Sequence, residues 1–144
     1  MYNNSVLEHF LNPHNVGRLP DADGTGMIGD PDCGDYLKIY IKVRDEKLID
    51  VKFEIFGCPA AIATASILTD LAKGKSVEEA LKISDLDVIK ALGGLPDRKI
   101  HCSSLGAEAL HKAIEDYLAK KEFRPSLKQD GENLGERNVR NLQP

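Results

Sequence analysis

Residues 37–55, LKIYIKVRDEKLIDVKFEI, decide the fold of this chain. Apolar and polar residues alternate on both sides of a short polar turn at 44–47. This period of two predicts two antiparallel strands whose apolar side chains share one buried face. The predicted buried face consists of Leu37, Ile39, Ile41, Val43, Ile49, Val51, Phe53 and Ile55. Lys38, Lys42 and Glu54 are expected on the opposite, solvated face.

The sequence on either side of the hairpin predicts helices and one more strand. Ser5 and Glu8 fit a capping box at the start of the first helix. Pro59 suits the first turn of an Ala-rich helix that Gly74 would cap. The predicted helices are 4–11, 59–72, 77–82, 85–92 and 103–120, and a short strand is predicted at 25–28. This order favours an α+β fold, a small antiparallel sheet of three strands packed against several helices, over a doubly wound sheet.

Composition limits the class of protein. The chain has 144 residues and a formal net charge of -4, from 19 Lys+Arg and 23 Asp+Glu. Binding to nucleic acid needs a clustered basic face, which this balance does not favour. No apolar run approaches the roughly 20 residues that span a membrane, and the first residues lack the pattern of a secretory signal. We therefore expect a cytoplasmic protein with one domain at 1–120 and a polar, flexible tail at 121–144.

Two further patterns are not expected to form ligand sites. Residues 24–29, GTGMIG, spell a dinucleotide-binding fingerprint, but no strong strand precedes the pattern and no helix follows it. His9, His14 and His111 are isolated in the sequence, and we interpret them as surface or capping residues.

Three cysteines, Cys33, Cys58 and Cys102, each lie at a boundary between predicted elements. An odd number of cysteines in a chain without a secretory signal favours metal binding or thiol chemistry over cross-links. The alternative is three buried apolar thiols, but a core thiol would more naturally lie within an apolar stripe. Cys58 and Cys102 each precede a predicted helix, where backbone N–H groups and the helix dipole stabilise a thiolate.

Two neighbouring side chains enlarge the set of candidate ligands. Asp35 lies two residues after Cys33, and His101 directly precedes Cys102. Three thiolates with a carboxylate and an imidazole suit either zinc or an iron–sulfur cluster, and the spacing does not choose between them. Simpler roles also exist, since Asp35 could cap a turn and His101 could be a hydrogen-bonded structural histidine.

Three segments together resemble the signatures of the IscU/NifU-type iron–sulfur cluster scaffold proteins. They are Cys33-Gly34-Asp35, FGCPAAIA at 56–63 and LPDRKIHCS at 95–103. The opening of the chain and the stretch 73–80 are also similar to that family, so the resemblance covers residues 1–120 in order. It implies a NifU/SufE-like α+β domain in which three loops meet at one exposed end.

The resemblance also implies a function and a set of site residues. The protein would be a scaffold rather than an enzyme, and a transient [2Fe-2S] cluster would be built on it from iron and sulfur. The implied metal ligands are Cys33, Asp35, Cys58, His101 and Cys102. Either Asp35 or His101 would complete the set of three thiolates. Cys102 is the expected persulfide acceptor, and Cys58 is the alternative acceptor.

The same resemblance implies partners. A cysteine desulfurase would supply the sulfur, and apo iron–sulfur proteins would receive the finished cluster. The residues expected to contact partners are Tyr2, Leu95, Pro96 and Lys99. A homodimer with a bridging cluster is compatible with the resemblance, and so is a monomer. In the family a heat-shock chaperone recognises a Leu-Pro-Pro-Val-Lys segment, but residues 95–99 read LPDRK here, which argues against release driven by that chaperone.

Two other functions compete with the scaffold. A SufU-like, zinc-dependent sulfurtransferase would hold zinc on Cys33, Asp35 and Cys58 and relay sulfur through Cys102. Proteins of that type have an insertion between the second and third cysteines and lack a histidine before the third. The short interval from Cys58 to Cys102 and the presence of His101 therefore favour the scaffold. A purely structural zinc site would instead make the chain unfold when the metal is removed.

Overall fold

The computed structural model of the chain describes residues 2–29, 36–96 and 101–123. Of the helical residues 101–104 and 122–123 it describes the backbone alone. The described residues form an α+β fold in which a three-stranded antiparallel sheet packs against helices. This is the predicted fold class.

The elements follow the predicted order of one helix, three strands and then further helices. In the described residues they are α1 (Asn4–Leu11), β1 (Gly24–Gly29), β2 (Tyr36–Arg44), β3 (Lys47–Phe56), α2 (Pro59–Ala72), α3 (Val77–Leu81), α4 (Asp85–Leu92) and α5 (His101–Phe123). The largest difference from the prediction is in α5, which was expected at 103–120. Because α5 continues to Phe123, residues 124–144 of the predicted tail follow it, and they lie outside the described residues.

The hairpin of β2 and β3 differs from its predicted pattern near the turn. The two strands keep a regular register up to Asp50, but Val43 then pairs with Leu48, so Ile49 is an extra residue on β3. A β-bulge of this kind moves side chains to the other face of the sheet. Leu48 is therefore fully buried and Ile49 is 41% exposed, the reverse of the prediction. The other residues of the predicted buried face are buried or half-buried.

Strand β1 pairs with β2 and lies against α5. A Cβ atom on Gly24 would fall on the carbonyl oxygen of Ala113, and one on Gly26 would fall on the backbone of α5 at Ala109 and Ala113. At these two positions only glycine lets the strand and the helix approach so closely. The glycine spacing in β1 therefore has a packing cause, which fits the rejection of a dinucleotide site.

The core lies between the inner face of the sheet and the helices. Its largest fully buried side chains are Phe53, Ile39, Ile41, Leu48, Leu68, Leu92, Leu110, Ile114, Val6, Val51, Val88 and Thr64. They come from α1, β2, β3, α2, α4 and α5, so a single core joins these elements. Within the described ranges, no helix is both long and apolar enough to cross a lipid bilayer.

Asn3, rather than the predicted Ser5, caps helix α1. The Asn3 Oδ1 atom accepts a hydrogen bond from the N–H of Val6 at 2.9 Å. Its Nδ2 atom donates to the carbonyl oxygens of Leu92 at 3.0 Å and Gly94 at 3.2 Å. The Ser5 capping box is wrong because Ser5 lies inside the helix. One side chain thus starts α1 and ties it to the loop after α4.

Candidate functional site

The register of the sheet brings two of the predicted site segments to the same end of the sheet. Tyr36, the first residue of β2, pairs with Phe56, the last residue of β3. Asp35 directly precedes Tyr36 in the chain, and Cys58 follows Phe56 by two residues. Cys33 and Asp35 themselves lie outside the described residues, so their role as ligands stays a prediction.

Cys58 occupies the N-cap of α2, as the sequence predicts. Its backbone is extended, with φ -77° and ψ 166°, and its carbonyl oxygen accepts a hydrogen bond from the N–H of Ile62 at 3.1 Å. The residue is half-buried. The first N–H groups of a helix have no intrahelical acceptor, and together with the positive end of the helix dipole they favour the thiolate form of a thiol at this position. Pro59, at the first helical position, has no N–H, so the donors come from the residues after it.

His101 and Cys102 lie in the first turn of α5. The sequence predicts them in a loop before a helix that begins at Ser103, but the helix already begins at His101. Ser103, which was expected at the start of the helix, lies inside its first turn. The first N–H groups of a helix have no intrahelical acceptor, so this turn still provides electrostatics that favour a thiolate at Cys102.

Gly106 lets α5 pack closely against the helix that Cys58 begins. A Cβ atom on Gly106 would lie 3.2 Å from Thr64 Cγ2 and 3.2 Å from Leu68 Cδ2. Such contacts are shorter than the optimum of about 3.5–4.0 Å between carbon atoms. Gly106 follows Cys102 by one turn, and Thr64 lies in the second turn of α2. The contact therefore joins the cysteine-bearing parts of the two helices.

Thr64 is a buried polar residue of this contact that the sequence pattern does not single out. It is fully buried, and its hydroxyl oxygen has no hydrogen-bond partner among the described residues. The sequence does not predict which side of this helix is buried, because small apolar residues occur all around it. The burial of Thr64 therefore could not be predicted. Its position follows from the close approach of α5 at Gly106.

Three of the four residues predicted to contact partners are described. Tyr2 and Leu95 are half-buried and pack against the core, and Pro96 is also half-buried. The hydrogen bonds of Asn3 to the loop after α4 place the segments of Tyr2 and Leu95 side by side. Lys99 lies outside the described residues. Contact of these residues with a partner stays a prediction.

The outer face of the hairpin is less open than the predicted solvated face. Tyr40 is 7% exposed and donates a hydrogen bond of 2.5 Å to Glu54, which also accepts one of 2.6 Å from Arg18. Burial, together with the hydrogen bond to Glu54, raises the pKa of Tyr40 to about 12. The hydrogen bonds from Tyr40 and Arg18 lower the pKa of Glu54. Arg18 reaches the sheet because residues 15–17 pair with β3 at Phe53.

Polar side chains that are far apart in the sequence come together beside α2. His9 Nδ1 lies 2.7 Å from Ser66 Oγ, and His14 Nδ1 lies 2.6 Å from Asp70 Oδ2. The centroids of the two imidazole rings are 4.8 Å apart. His14 is exposed, as expected of a surface residue, and His9 is half-buried; although the two histidines are isolated in the sequence, they meet here because α1 packs onto α2.

Comparison with known proteins connects this geometry to a family. A family model described as NifU-like N terminal domain matches residues 1–124. The chain is 58% identical over 120 residues to the iron-sulfur cluster assembly scaffold protein IscU 1 of Archaeoglobus fulgidus, covering 83% of this chain and 78% of that protein. It is 53% identical over 121 residues to the iron-sulfur cluster assembly scaffold protein IscU of Aquifex aeolicus, covering 83% of this chain and 77% of that protein.

A solved structure repeats the fold. The N-terminal part of a nitrogen-fixing NifU-like protein from Brucella abortus matches with a TM-score of 0.65 and 21% sequence identity, over 82% of this chain and 94% of that chain. At this identity the likeness concerns the fold alone. It agrees with the NifU-like α+β architecture that the sequence predicts.

Proposed function

Since this chain belongs to the NifU-like N-terminal domain family, we propose that it is a scaffold on which iron–sulfur clusters are assembled. The observation that carries the proposal is the extent of the family match, which runs over residues 1–124 and includes all three cysteines. The sheet register adds support, because it leads the segments of Asp35 and Cys58 to one end of the sheet. In this role the chain holds a cluster and gives it away, so it is a scaffold rather than an enzyme.

The cluster ligands in this proposal are the three cysteine thiolates with one further group. Cys33, Cys58 and Cys102 bind the iron of a [2Fe-2S] cluster, and Asp35 or His101 completes the coordination. Thiolates are the usual ligands of iron–sulfur clusters, whereas a carboxylate is a harder and weaker ligand for such iron. A fourth ligand of this kind suits a cluster that must leave again.

The sulfur arrives as a persulfide from a cysteine desulfurase. The thiolate of Cys102 attacks the terminal sulfur of the desulfurase persulfide, the S–S bond breaks, and the desulfurase thiolate leaves. Two transferred sulfane sulfurs need four electrons to become the two sulfides of the cluster: two electrons come from the oxidation of two ferrous ions to ferric iron, and two come from an external thiol reductant, which is oxidised to a disulfide. The position of Cys102 in the first turn of α5 supports this role, because a helix start favours the attacking thiolate. Cys58, at the N-cap of α2, is the alternative acceptor.

The partner surface in this proposal includes the Tyr2 and Leu95 segments. They lie side by side, and Leu95 opens the LPDRK stretch that leads to His101 and Cys102. A desulfurase or an apo iron–sulfur protein bound there would contact a segment that lies just before Cys102 in the sequence. Because the stretch lacks the Pro-Val of the family pattern, we propose cluster transfer that does not need a chaperone.

Anaerobic reconstitution tests the proposed function. The protein is mixed with ferrous iron, cysteine, a thiol reductant and a cysteine desulfurase, and the bound iron and acid-labile sulfide are measured. We expect equal amounts of iron and sulfide, with the visible absorption of a [2Fe-2S] cluster, followed by transfer to an apo-ferredoxin. Tightly held zinc, no cluster and faster desulfurase turnover would contradict the scaffold and support the zinc-dependent sulfurtransferase instead.

A further inference from the structure

Two histidines and one aspartate cluster at the C-terminal part of α2, away from the cysteine segments. One potential ligand atom from each of His9, His14 and Asp70 lies within 4.8 Å of the others. The helical rise places Asp70 about 18 Å from Cys58 along α2. The cluster is therefore separate from Cys58, which begins the same helix.

The spacing of this cluster suits a small cation. Bonds of about 2.0–2.2 Å to imidazole nitrogen and carboxylate oxygen place the ligand atoms about 3–3.5 Å apart around such an ion. We expect small side-chain rotations to bring the three ligand atoms to that spacing, with the cation replacing the direct contact of 2.6 Å between His14 Nδ1 and Asp70 Oδ2. The side chains of His14 and Asp70 are 49% and 35% exposed, so water can fill the remaining coordination positions.

Neighbouring residues hold the three side chains in place. The buried Ser66 Oγ accepts a hydrogen bond from the backbone N–H of His14 at 2.8 Å and lies 2.7 Å from His9 Nδ1. In the tautomer in which His9 Nδ1 donates to Ser66 Oγ, the Nε2 atom of His9 is left for a cation. Asn15 Nδ2 donates to Asp70 Oδ1 at 2.8 Å, which fixes the carboxylate. Partners of this kind orient the ligands of metal sites in proteins.

The charges around the cluster also favour a cation. Asp70 lies in the last turn of α2, where the helix dipole has its negative end. The charged groups that act on His9 are His14, Asp70 and Glu8, and two of these are carboxylates. Burial and the neighbouring His14 lower the pKa of His9, which favours the neutral imidazole that binds metals.

We propose that His9, His14 and Asp70 form a binding site for a divalent first-row transition-metal cation. Two imidazoles and one carboxylate suit Zn²⁺, Fe²⁺, Co²⁺ or Ni²⁺, whereas Mg²⁺ and Ca²⁺ prefer sites built from oxygen atoms alone. Binding joins α1 and the segment after it to α2. The site does not depend on the proposed scaffold function, and either proposal can fail without the other.

A titration with Co²⁺, followed at the histidine rings by NMR, tests this site in the full chain. We expect the paramagnetic ion to broaden the ring signals of His9 and His14 and to leave those of His111 sharp. Thiolate-to-cobalt absorption, recorded in parallel, separates any binding at the cysteines. Asp70→Asn should weaken the binding at the two rings by about 10–100-fold, and His14→Gln by at least as much.

The matched control is His111→Gln, which removes another imidazole outside the cluster and should leave the Co²⁺ affinity of the His9 and His14 rings unchanged. Backbone amide spectra of each variant show whether it is folded. The proposal would be overturned if the ring signals of His9 and His14 were not broadened by Co²⁺. An affinity in a folded His14→Gln variant equal to that of the wild type would also overturn it.

Discussion

The two ends of helix α2 offer opposite kinds of ligand chemistry. At the first end Cys58 occupies the N-cap two residues after Phe56, a residue that is 62% exposed, so a soft thiol follows an exposed apolar side chain in the sequence. At the other end Asp70 belongs to a hydrogen-bonded group with His14 and Asn15, which offers nitrogen and oxygen ligands. The helix dipole favours an anion at the first end and a cation at the second.

This difference shows how one helix can separate two ligand environments. The thiolate end suits iron–sulfur chemistry, which needs soft ligands, while the imidazole and carboxylate end suits a borderline cation with bound water. About 18 Å of helix lies between Cys58 and Asp70, so an ion at one end does not share ligands with an ion at the other. Variants at one end should therefore leave the other end intact.

The largest expected effect comes from Cys58→Ser. Serine is a preferred N-cap residue, so the start of α2 should stay as stable as in the wild type while the thiolate is lost. We expect iron and sulfide retained after reconstitution to fall to the level of a sample without scaffold. The Co²⁺ effect on the His9 and His14 rings should not change.

The reciprocal control is Asp70→Asn, which should keep the full yield of cluster and lose Co²⁺ affinity at the rings. If Cys58→Ser also abolished the Co²⁺ broadening at His9 and His14, or if Asp70→Asn also abolished cluster assembly, the two ends of α2 would not be independent sites. Unfolding curves of both variants separate this result from a loss of folded protein.

The next largest effect is expected from Gly26→Ala, which disturbs the packing of β1 on α5, the helix that packs on α2. The added Cβ would meet the backbone of α5, which cannot move aside, so we expect a loss of about 3 kcal/mol in the free energy of unfolding. Both the cluster yield and the Co²⁺ affinity should fall together. Urea unfolding measures the loss of stability.

Gly106→Ala is the matched control, because its Cβ would meet only the side chains of Thr64 and Leu68 at 3.2 Å. Alanine gains about 1 kcal/mol over glycine inside a helix, which offsets the tighter contact. We expect a change within about 1 kcal/mol. A Gly26→Ala variant as stable as Gly106→Ala would show that β1 and α5 are not held at the distance described.

The first end of α2 could be predicted from the sequence because its signals are local. The alternation in β3 ends at Phe56, and Pro59 opens the Ala-rich helix, so Cys58 had to lie between a strand and a helix. The same reasoning places Cys102 near the start of α5. The predicted start at Ser103 is two residues later than the start at His101 in the structure. The ligand roles of Cys33 and Asp35 stay predictions.

The second end of α2 could not be predicted because its contacts are long-range. His14 and Asp70 are separated by 56 residues, and no periodic pattern relates them. The β-bulge at Ile49 could not be predicted for a similar reason. Alternation predicts a strand but does not show where a bulge interrupts its pairing with the neighbouring strand. The requirement for glycine in β1 likewise could not be predicted, because it arises from the close approach of α5.

A smaller effect is expected from Glu54→Gln, which tests the connection between the two regions. Glu54 lies on β3, which leads to Cys58, and binds Arg18, which follows the segment of His14. Because Tyr40 and Arg18 lower its pKa, its contribution to stability is present above the unfolded-state value of 4.5 and is lost as the pH falls through the folded-state value.

In the wild type we therefore expect a steeper loss of stability on acidification below pH 4.5 than in Glu54→Gln, measured by urea unfolding at a series of pH values. The difference between the two proteins at neutral pH should be under about 1 kcal/mol, because solvent screens pairs near the surface. Lys38 also acts on Glu54, so Lys38→Gln is a control that should change the slope less. Equal slopes in all three proteins would contradict a lowered pKa of Glu54.

A small effect of the opposite sign is expected at Thr64, which lies between the two ends of α2 and against Gly106. Its buried hydroxyl has no hydrogen-bond partner among the described residues, and valine has nearly the same shape without that hydroxyl. Removing a buried polar group that makes no bond should raise the free energy of unfolding of Thr64→Val by about 1 kcal/mol. Neither the cluster yield nor the Co²⁺ affinity should change, because the helix keeps its position. A Thr64→Val variant less stable than the wild type would show that the hydroxyl is hydrogen-bonded in the folded protein. A stable variant with a lower cluster yield would show that Thr64 also contributes to cluster assembly at the Cys58 end of α2.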